Sequence, residues 1–324
     1  FCRFASKIPL NPIGCGFEGK QYELLALKDF SQMSPNNAKI VPIIEPVKNQ
    51  VNGLNSALET MIKNGMRFAL ILNPKDGDFK RNADNYMLPK LKCLQEDREH
   101  WIPAYFYKNN ADILLAYAEK YNLTELMVVF PEGTNVHDNN IMDFLSNERV
   151  RYVVNGNSSN SAIAKLRALG KNVISLEDHF NSQNKNADYA SNDDEFFSDD
   201  FLYYKDSGFY GFADYTALPK NFVEGGMLPY AIAIHLTYKK SDEEVYVHHF
   251  VSDSNLDQSN IRGKFREAAI KIDPFYKNGG YTETAAVMEL VDKANDSAGY
   301  PGLGYIKKLS IKNHLELIDR LITE

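Results

Sequence analysis

The sequence is poor in cysteine and has no long apolar run. Its three cysteines, Cys2, Cys15 and Cys93, form no CxxC pair and follow no regular spacing. This argues against a disulfide framework or a zinc knuckle and is typical of a reducing compartment, so we expect a cytoplasmic protein. No stretch reaches the roughly 20 apolar residues of a membrane span, so no membrane association is expected. The chain begins at Phe1, and we expect residues 1–18 to be an N-terminal segment of uncertain origin.

Signatures of several enzyme classes are also missing. No Walker A motif is complete and no Gly-rich dinucleotide turn is expected, so neither a P-loop ATPase nor a Rossmann oxidoreductase is indicated. There is no GxSxG elbow, and Cys93 falls within a helical pattern, which disfavours covalent serine or cysteine catalysis. The absence of an HExxH pattern gives no support to a transition-metal site.

Positive charge is in deficit. The chain has 36 Lys and Arg against 43 Asp and Glu, a formal net charge of -7. Binding to a phosphate backbone cannot then be a property of the whole molecule. The densest basic group, Lys165, Arg167 and Lys171, is too sparse for a basic stripe. Nucleic acid is therefore not expected as a partner.

What the sequence does contain is an alternation of strand and helix patterns. Hydrophobic residues make up 44% of the chain, which is ordinary for a globular protein. Short apolar runs rich in Val, Ile, Phe and Tyr predict parallel strands covered on both faces, and residues spaced three and four apart predict helices between them. Gly65, Asn122 and Gly170 stand where helix ends require a left-handed residue. The predicted strands are 39–46, 66–74, 100–107, 125–133, 150–157, 171–178 and 208–216, and the predicted helices are 21–32, 50–65, 87–97, 111–122, 139–148 and 160–170.

These units predict an α/β fold, a (β/α)8 TIM-like barrel over residues 19–216. Its eighth strand would lie near the N-terminus, where the pattern does not place it; an open doubly wound sheet is the alternative. A C-terminal extension, 217–324, is expected to pack on the barrel. Its predicted elements are a β-hairpin at 227–240 and 244–253 and helices at about 258–273, 281–296 and 310–322. The acidic connection 179–207 is interpreted as a solvated loop or a lid.

A barrel binds its substrates at the carboxyl ends of the strands, which selects the candidate site residues. Glu45 ends an otherwise apolar run, where desolvation raises a carboxyl pKa and suits it to act as a base. The alternative is a buried ion pair with Lys20 or Lys48. Two carboxylates, Glu45 and Asp214, would allow acid and base work or hold a divalent cation such as Mg²⁺. The candidate catalytic residues are Glu45, Lys48, Asp178 and Asp214, and the candidate substrate-binding residues are Lys20, Asn73, Asn155, Tyr215 and His235.

Two further segments have two interpretations each. NGNSSNS, residues 155–161, precedes a helix and would bind an anion there, or Ser159 or Asn160 simply caps the helix. His235 and Thr237 share one face of a predicted strand and would face the site if the extension folds over the barrel. His248 and His249 are expected on opposite faces, one packed and one facing solvent.

The motifs GKQYELLALKDF, residues 19–30, and IVPIIEPVK, residues 40–48, resemble the sce7725 family, which is related to the phage "beta protein" family. The resemblance covers most of the chain from about residue 17. It draws attention to Lys20, Glu23, Glu45 and Lys48, and to Asp214 and Tyr215 in the later FADYT strand. What it implies is an association with phage or bacterial defence, with no settled activity.

Two functions stay open at this point. The first is an enzyme whose strand-end carboxylates perform acid/base or metal-assisted hydrolysis of a small polar, phosphorylated or nucleotide-like substrate. The second is a non-catalytic phage- or defence-associated module that binds a protein partner through the acidic connection and the extension. The absence of a nucleophile or metal signature favours the second, and the polar strand ends favour the first.

Overall fold

The computed structural model describes residues 13–17, 21–79, 87–131, 134, 138–155, 159–219, 228–296 and 299–322. Its centre is a curled parallel sheet, which confirms the predicted α/β class. Each of the seven predicted strand segments contains a strand of this sheet. They are β2 (Ile40–Ile44), β3 (Phe68–Ile71), β4 (Trp101–Phe106), β5 (Leu126–Val129), β6 (Val150–Asn155), β7 (Asn172–Leu176) and β9 (Gly211–Asp214), in that spatial order.

The strand that the sequence pattern does not place is β1, Ile13–Phe17. It pairs in parallel with both edge strands of the sheet, at five positions with β2 and at two with β9. Residues 14–19 read GCGFEG and match GxGxxG by letter, against the expectation that no such turn exists. Gly14 and Gly16, however, lie within β1 and pair with Val41 and Ile43 of β2, so they are not in a strand-to-helix turn.

Helices cover the outside of the sheet where the apolar spacing predicts them. The predicted left-handed residues at helix ends are confirmed, with φ of +67° at Gly65, +49° at Asn122 and +74° at Gly170. The predicted helix 87–97 is interrupted at Leu91, so its first part is a 3₁₀ turn, Leu88–Lys90. The helices are α1 (Gln21–Met33), α2 (Asn52–Lys63), α3 (Lys92–Glu96), α4 (Ala111–Lys120), α5 (Asn139–Ser146) and α6 (Asn160–Ala168).

The sheet separates two apolar layers because neighbouring strand residues face opposite sides. Val41, Ile43 and Ile71 belong to the inner layer, enclosed by the curled sheet. Ile44 and Phe212 belong to the outer layer, between the sheet and the helices. This alternation decides which strand-end side chains face the interior and which face the helices.

The acidic connection between β7 and β9 is structured, contrary to the expectation of a solvated loop or lid. It contains a 3₁₀ segment, Asn186–Ser191, a strand, β8 (Asp194–Ser198), and a short helix, α7 (Asp200–Tyr203). Glu195 and Phe197 are buried while Phe196 between them is 45% exposed, as expected for an edge strand. Strand β8 completes an antiparallel sheet of order β10-β11-β8 with β10 (Ala233–Lys239) and β11 (Val245–Val251), the predicted hairpin.

The C-terminal region packs against the first helix of the chain. Helix α11 contacts both α1 and β10, and Lys308 Nζ lies 2.8 Å from Asp29 Oδ2 of α1. Helix α11 begins at Leu303, earlier than the expected start near residue 310. The helices of this region are α8 (Ile261–Ala269), α9 (Ile272–Gly279), α10 (Ala285–Asn295) and α11 (Leu303–Leu321).

Candidate active site at the carboxyl ends of the strands

Glu45 lies at the carboxyl end of β2 on the row that faces the inside of the curled sheet. Val41 and Ile43 of the same row are in the inner apolar layer, and the alternation continues to Glu45. The Glu45 side chain is largely buried, with 8% of the residue exposed. The Glu45 carboxyl group therefore lies at the carboxyl end of an apolar interior.

One oxygen of the Glu45 carboxyl group is held by the loop after β3. Oε1 accepts hydrogen bonds from the backbone N–H of Lys75 at 2.7 Å and of Asp76 at 3.0 Å. Among the described residues, Oε2 has no hydrogen-bond donor. Burial raises the pKa of Glu45 to about 7, although the two N–H groups and the Lys75 charge favour the ionised form. The group can thus hold or release a proton near neutral pH.

Lys48 contacts a different carboxylate from the one that the sequence suggested. Its Nζ lies 3.3 Å from Asp78 Oδ1, and its side chain is 53% exposed. Asp78 Oδ2 also accepts the backbone N–H of Asn49 at 2.8 Å, and this hydrogen bond, with the Lys48 contact, keeps the pKa of Asp78 below its usual value. Lys20, the other proposed partner of Glu45, lies outside the described residues.

Asn73 is buried at the carboxyl end of β3 and bridges to the next strand. Its Nδ2 donates to the Phe106 carbonyl at 2.9 Å, and its Oδ1 accepts from the Phe106 N–H at 2.9 Å. Both halves of the amide are thus engaged in extending the β3–β4 pairing. Lys75, whose backbone N–H binds Glu45, has its Nζ 4.4 Å from the centre of the Phe106 ring, a cation–π contact.

Asn155 is buried on the outer face of the sheet, at the end of β6. Its neighbour Val154 is in the inner layer, and its strand partner in β7 is Ser175. Asn155 Oδ1 has no hydrogen-bond partner among the described residues. Asp178 is exposed and its Oδ1 accepts the Phe180 N–H at 3.3 Å, a local turn contact. Tyr215 is half-buried directly after β9.

Asp214 faces the helices and is 2% exposed. Its Oδ2 lies 3.0 Å from His314 Nε2 on α11, and its Oδ1 accepts the Thr216 N–H at 2.8 Å. Burial by itself would raise the pKa of Asp214, but His314 and the Thr216 hydrogen bond hold it below its usual value. The other ring nitrogen of His314 lies 3.1 Å from Thr237 Oγ1. The chain from Asp214 through His314 to Thr237 joins β9, α11 and β10.

Glu45 and Asp214 therefore stand on opposite faces of the sheet. Asp214 contacts His314 and Thr216, whereas Glu45 contacts the backbone of Lys75 and Asp76, so the two carboxylates share no partner. Within the described parts of the chain, no group of three or more His, Cys, Asp or Glu side chains is placed to hold a metal ion.

His235 and Thr237 lie on one face of β10, as their spacing predicts, and Ile234 and Leu236 lie on the other. His235 Nδ1 lies 2.8 Å from His249 Nδ1, and both rings lie between Phe180 and Tyr189. Burial, with mutual repulsion, lowers the pKa of His235 well below its usual value. Burial also lowers the pKa of His249 to about 4. The two rings are thus neutral packing partners of Phe180 and Tyr189.

His248 lies on the opposite face of β11 from His249, as expected, but it does not face solvent. Its ring stacks on Phe275 at a centroid distance of 4.1 Å, and its side chain is 14% exposed. In the NGNSSNS segment, Ser159 caps α6 by accepting the Ala162 N–H at 3.3 Å, which supports the capping interpretation. Residues 156–158 lie outside the described residues.

Sequence reasoning missed His314 and Lys75. His314 has no local motif, because Asp214 is 100 residues away in the chain. A signal was available in the pattern IKNHLELI, where a histidine occupies the apolar stripe of a helix. Lys75 follows the predicted strand 66–74 directly and could have been included with the other strand-end residues.

No protein-family model and no curated protein matches the sequence. Among solved structures, the chain is similar to a truncated form of 3-deoxy-D-arabino-heptulosonate 7-phosphate synthase from Thermotoga maritima. The identity is 14% and the TM-score 0.38, over 63% of this chain and 74% of that chain. A similarity of this degree carries no argument about function. In the described helices, none combines the length and apolarity needed to cross a membrane.

Proposed function

We propose that the protein is an enzyme in which Glu45 transfers a proton to or from a small polar substrate at the carboxyl ends of the strands. One observation carries the proposal. A largely buried carboxyl group with one oxygen held by two backbone N–H groups has a second oxygen without a donor among the described residues. General acid–base catalysis works best with a group that titrates near the working pH, and the pKa of Glu45 is about 7.

The two oxygens of the Glu45 carboxyl group have different roles in this proposal. The N–H groups of Lys75 and Asp76 fix the carboxyl plane, so Oε2 is the atom that exchanges the proton. The Lys75 ammonium group, which lies over the Phe106 ring, is a cation that could contact a phosphorylated or nucleotide-like substrate. The Asp76 carboxylate in the same loop adds to burial in raising the pKa of Glu45. The reaction in this proposal is an acid/base hydrolysis. Glu45 takes a proton from the attacking water as the water oxygen bonds to the substrate, and it returns that proton to the leaving group as the scissile bond breaks.

The broader assignment belongs to the same proposal. We infer a complete (β/α)8 barrel that begins with β1 at residue 13, ahead of the expected boundary at residue 19, and runs to residue 216. To this we add an extension over 217–324, kinship with the sce7725 family and a cytoplasmic location. The order of the parallel strands and the pairing of β1 with both β2 and β9 support the barrel. The motifs around Lys20 and Glu45 support the kinship.

Ligand-dependent thermal unfolding tests the proposal. The wild type and Glu45→Gln are melted with a panel of nucleotides and phosphorylated metabolites, each with and without Mg²⁺ or Mn²⁺. We expect at least one compound to raise the Tm of the wild type, and the purified protein to turn that compound over. Glu45→Gln should fold and bind but lose at least about a hundredfold in turnover, the usual contribution of a general acid or base.

Glu119→Gln is the matched control, because Glu119 is an exposed glutamate on α4. It should behave as the wild type in both melting and turnover. Turnover by Glu45→Gln at the wild-type rate would overturn the assignment of Glu45.

A second function, binding of a protein partner, is favoured by one observation. Strand β8 is an edge of the antiparallel sheet, and it exposes Phe196 at 45%. Leu202 and Tyr203 of α7, the helix that follows β8, are 41% and 44% exposed. An unpaired strand edge with apolar side chains is a common surface for strand addition.

A further inference from the structure

A group of cationic side chains meets at the opposite end of the sheet from Glu45. Arg167 lies in the last turn of α6, and Lys171 directly precedes β7. Lys205 follows α7, and Tyr210 directly precedes β9. The amino ends of parallel strands meet at one edge of a sheet, so the fold brings these segments together. They line a cavity of about 320 Å³.

The charges in this cavity are not balanced by carboxylates. None of the described residues lining it is Asp or Glu. Lys171 Nζ is buried and donates to the carbonyl oxygens of Asn147 at 2.9 Å and Val150 at 2.7 Å. These partners are neutral carbonyl groups and not carboxylates. The chain as a whole has a net charge of -7, whereas the described lining of this pocket has cations and no carboxylate.

Two more arginines stand behind the cavity at the same end of the sheet. Arg67 directly precedes β3, and Arg151 lies in β6 where the register with β5 shifts. The Nε atoms of both are buried and have no hydrogen-bond partner among the described residues. The carboxylate beside Arg67 is that of Glu125, at 3.8 Å. The charge of Arg151 adds to burial in lowering the pKa of Lys171, so the two groups repel each other.

The backbone at Gly208 approaches the Arg167 guanidinium group closely. Gly208 has φ of +84°, and a Cβ atom built there would lie 3.3 Å from Arg167 Nη1. Glycine thus provides both the backbone conformation and the space beside the guanidinium group. Guanidinium and ammonium groups with a tyrosine hydroxyl are the donors that bind phosphate oxygens.

The geometry points to an anion site at the amino ends of β7 and β9, formed by Arg167, Lys171, Lys205 and Tyr210, that binds a small phosphorylated molecule. A pocket of this volume has room for a phosphate group with a small substituent. A nucleic acid would need a continuous basic surface, and the cations here converge on one cavity. The site is separate from Glu45, so it would serve regulation or stability and would not depend on the proposed catalysis.

Calorimetric titration with inorganic phosphate and with pyrophosphate tests the site, at constant ionic strength set with chloride. We expect saturable binding to the wild type and to Glu45→Gln. Arg167→Ala and Lys205→Ala should each raise the Kd about tenfold or more, the size of one charge-assisted contact. Both side chains are exposed, so both variants should keep the wild-type Tm without ligand.

Lys165→Ala is the matched control, because Lys165 is an exposed cation on the same helix and does not line the cavity. It should bind both probes as the wild type does. Absence of saturable binding to the wild type would overturn the proposal. Equal weakening by Lys165→Ala and Arg167→Ala would do so too, and so would binding of a single-stranded oligonucleotide without binding of either probe.

Discussion

At the scale of the residue, Glu45 is a group whose ionised form is poorly accommodated. Burial and the nearby Asp76 carboxylate oppose the negative charge, while the N–H groups of Lys75 and Asp76 and the Lys75 ammonium group favour it. Burial has the largest effect on the pKa. A carboxyl group that serves folding alone is better paired or better solvated. The protein therefore keeps at this position a group that costs stability once it ionises.

This cost predicts a pH dependence. The pKa of Glu45 is about 7 in the fold against 4.5 for the ordinary side chain. The native state thus binds more protons than the unfolded state between these values, so the contribution of Glu45 to stability is full below pH 4.5 and is lost as the pH rises through about 7. Chemical denaturation at pH 5 and pH 8 should show the wild type losing about 2 to 3 kcal/mol relative to Glu45→Gln over this interval.

The difference in free energy of unfolding between the wild type and Glu45→Gln excludes the other titrating groups, because distant groups contribute equally to both proteins. The histidine pair His235 and His249, whose pKa values are lowered, changes stability in the opposite direction, with loss as the pH falls below about 6.5. Parallel stability curves for the wild type and Glu45→Gln would show that Glu45 titrates normally.

At the scale of the element, helix α11 is attached to the sheets by buried polar groups as well as by apolar ones. His314 joins Asp214 of β9 to Thr237 of β10. Its neighbour Asn313 donates to the Thr237 carbonyl at 2.8 Å and contacts Thr284 Oγ1 at 2.8 Å. These bonds fix the rotation of α11, because a turn of the helix in either direction would leave buried polar groups unpaired.

Asp214→Asn should therefore destabilise the protein strongly. The change leaves His314 without its charged hydrogen-bond partner in a buried position, and the loss of such a partner costs about 1 to 3 kcal/mol. The pKa of Asp214 is lowered, so its contribution is fully present at pH 7, where the free energy of unfolding should be measured.

The exposed pair of Lys239 and Asp242, with a side-chain exposure of 97% at Asp242, supplies the comparison. Asp242→Asn should change the free energy of unfolding by less than about 1 kcal/mol. A similarly small effect of Asp214→Asn would mean that the Asp214–His314 contact does not stabilise the fold.

At the scale of the whole molecule, most of the sheet could be predicted because its strands are apolar on both faces. Runs such as 39–46 and 100–107 therefore stand out in the sequence, and the sheet contains a strand within each of the seven. Strand β1 has glycine at 14 and 16, which weakens any strand pattern. Strand β8 begins with acids, and its buried Glu195 is satisfied by the Asn181 amide at 3.0 Å, a contact that no spacing reveals.

The candidate site residues also differ in how far the sequence predicts their environments. Glu45 could be predicted because a local property, one carboxylate after an apolar strand, decides its environment. The environment of Asp214 depends on His314, which is distant in the sequence and close in the fold. The fold class alone also does not reveal that Asp214 faces the helices. Neighbouring strand residues face opposite sides of a sheet, so a shift of one residue in register would change the face.

The most direct test of the account is the titration of the Glu45 carboxyl carbon by ¹³C NMR, with the resonance assigned by its absence in Glu45→Gln. The account predicts a midpoint near pH 7, because burial outweighs the two N–H hydrogen bonds. A midpoint near 4.5, the value of an ordinary glutamate, would contradict it and remove Glu45 as the acid and base of the proposed enzyme.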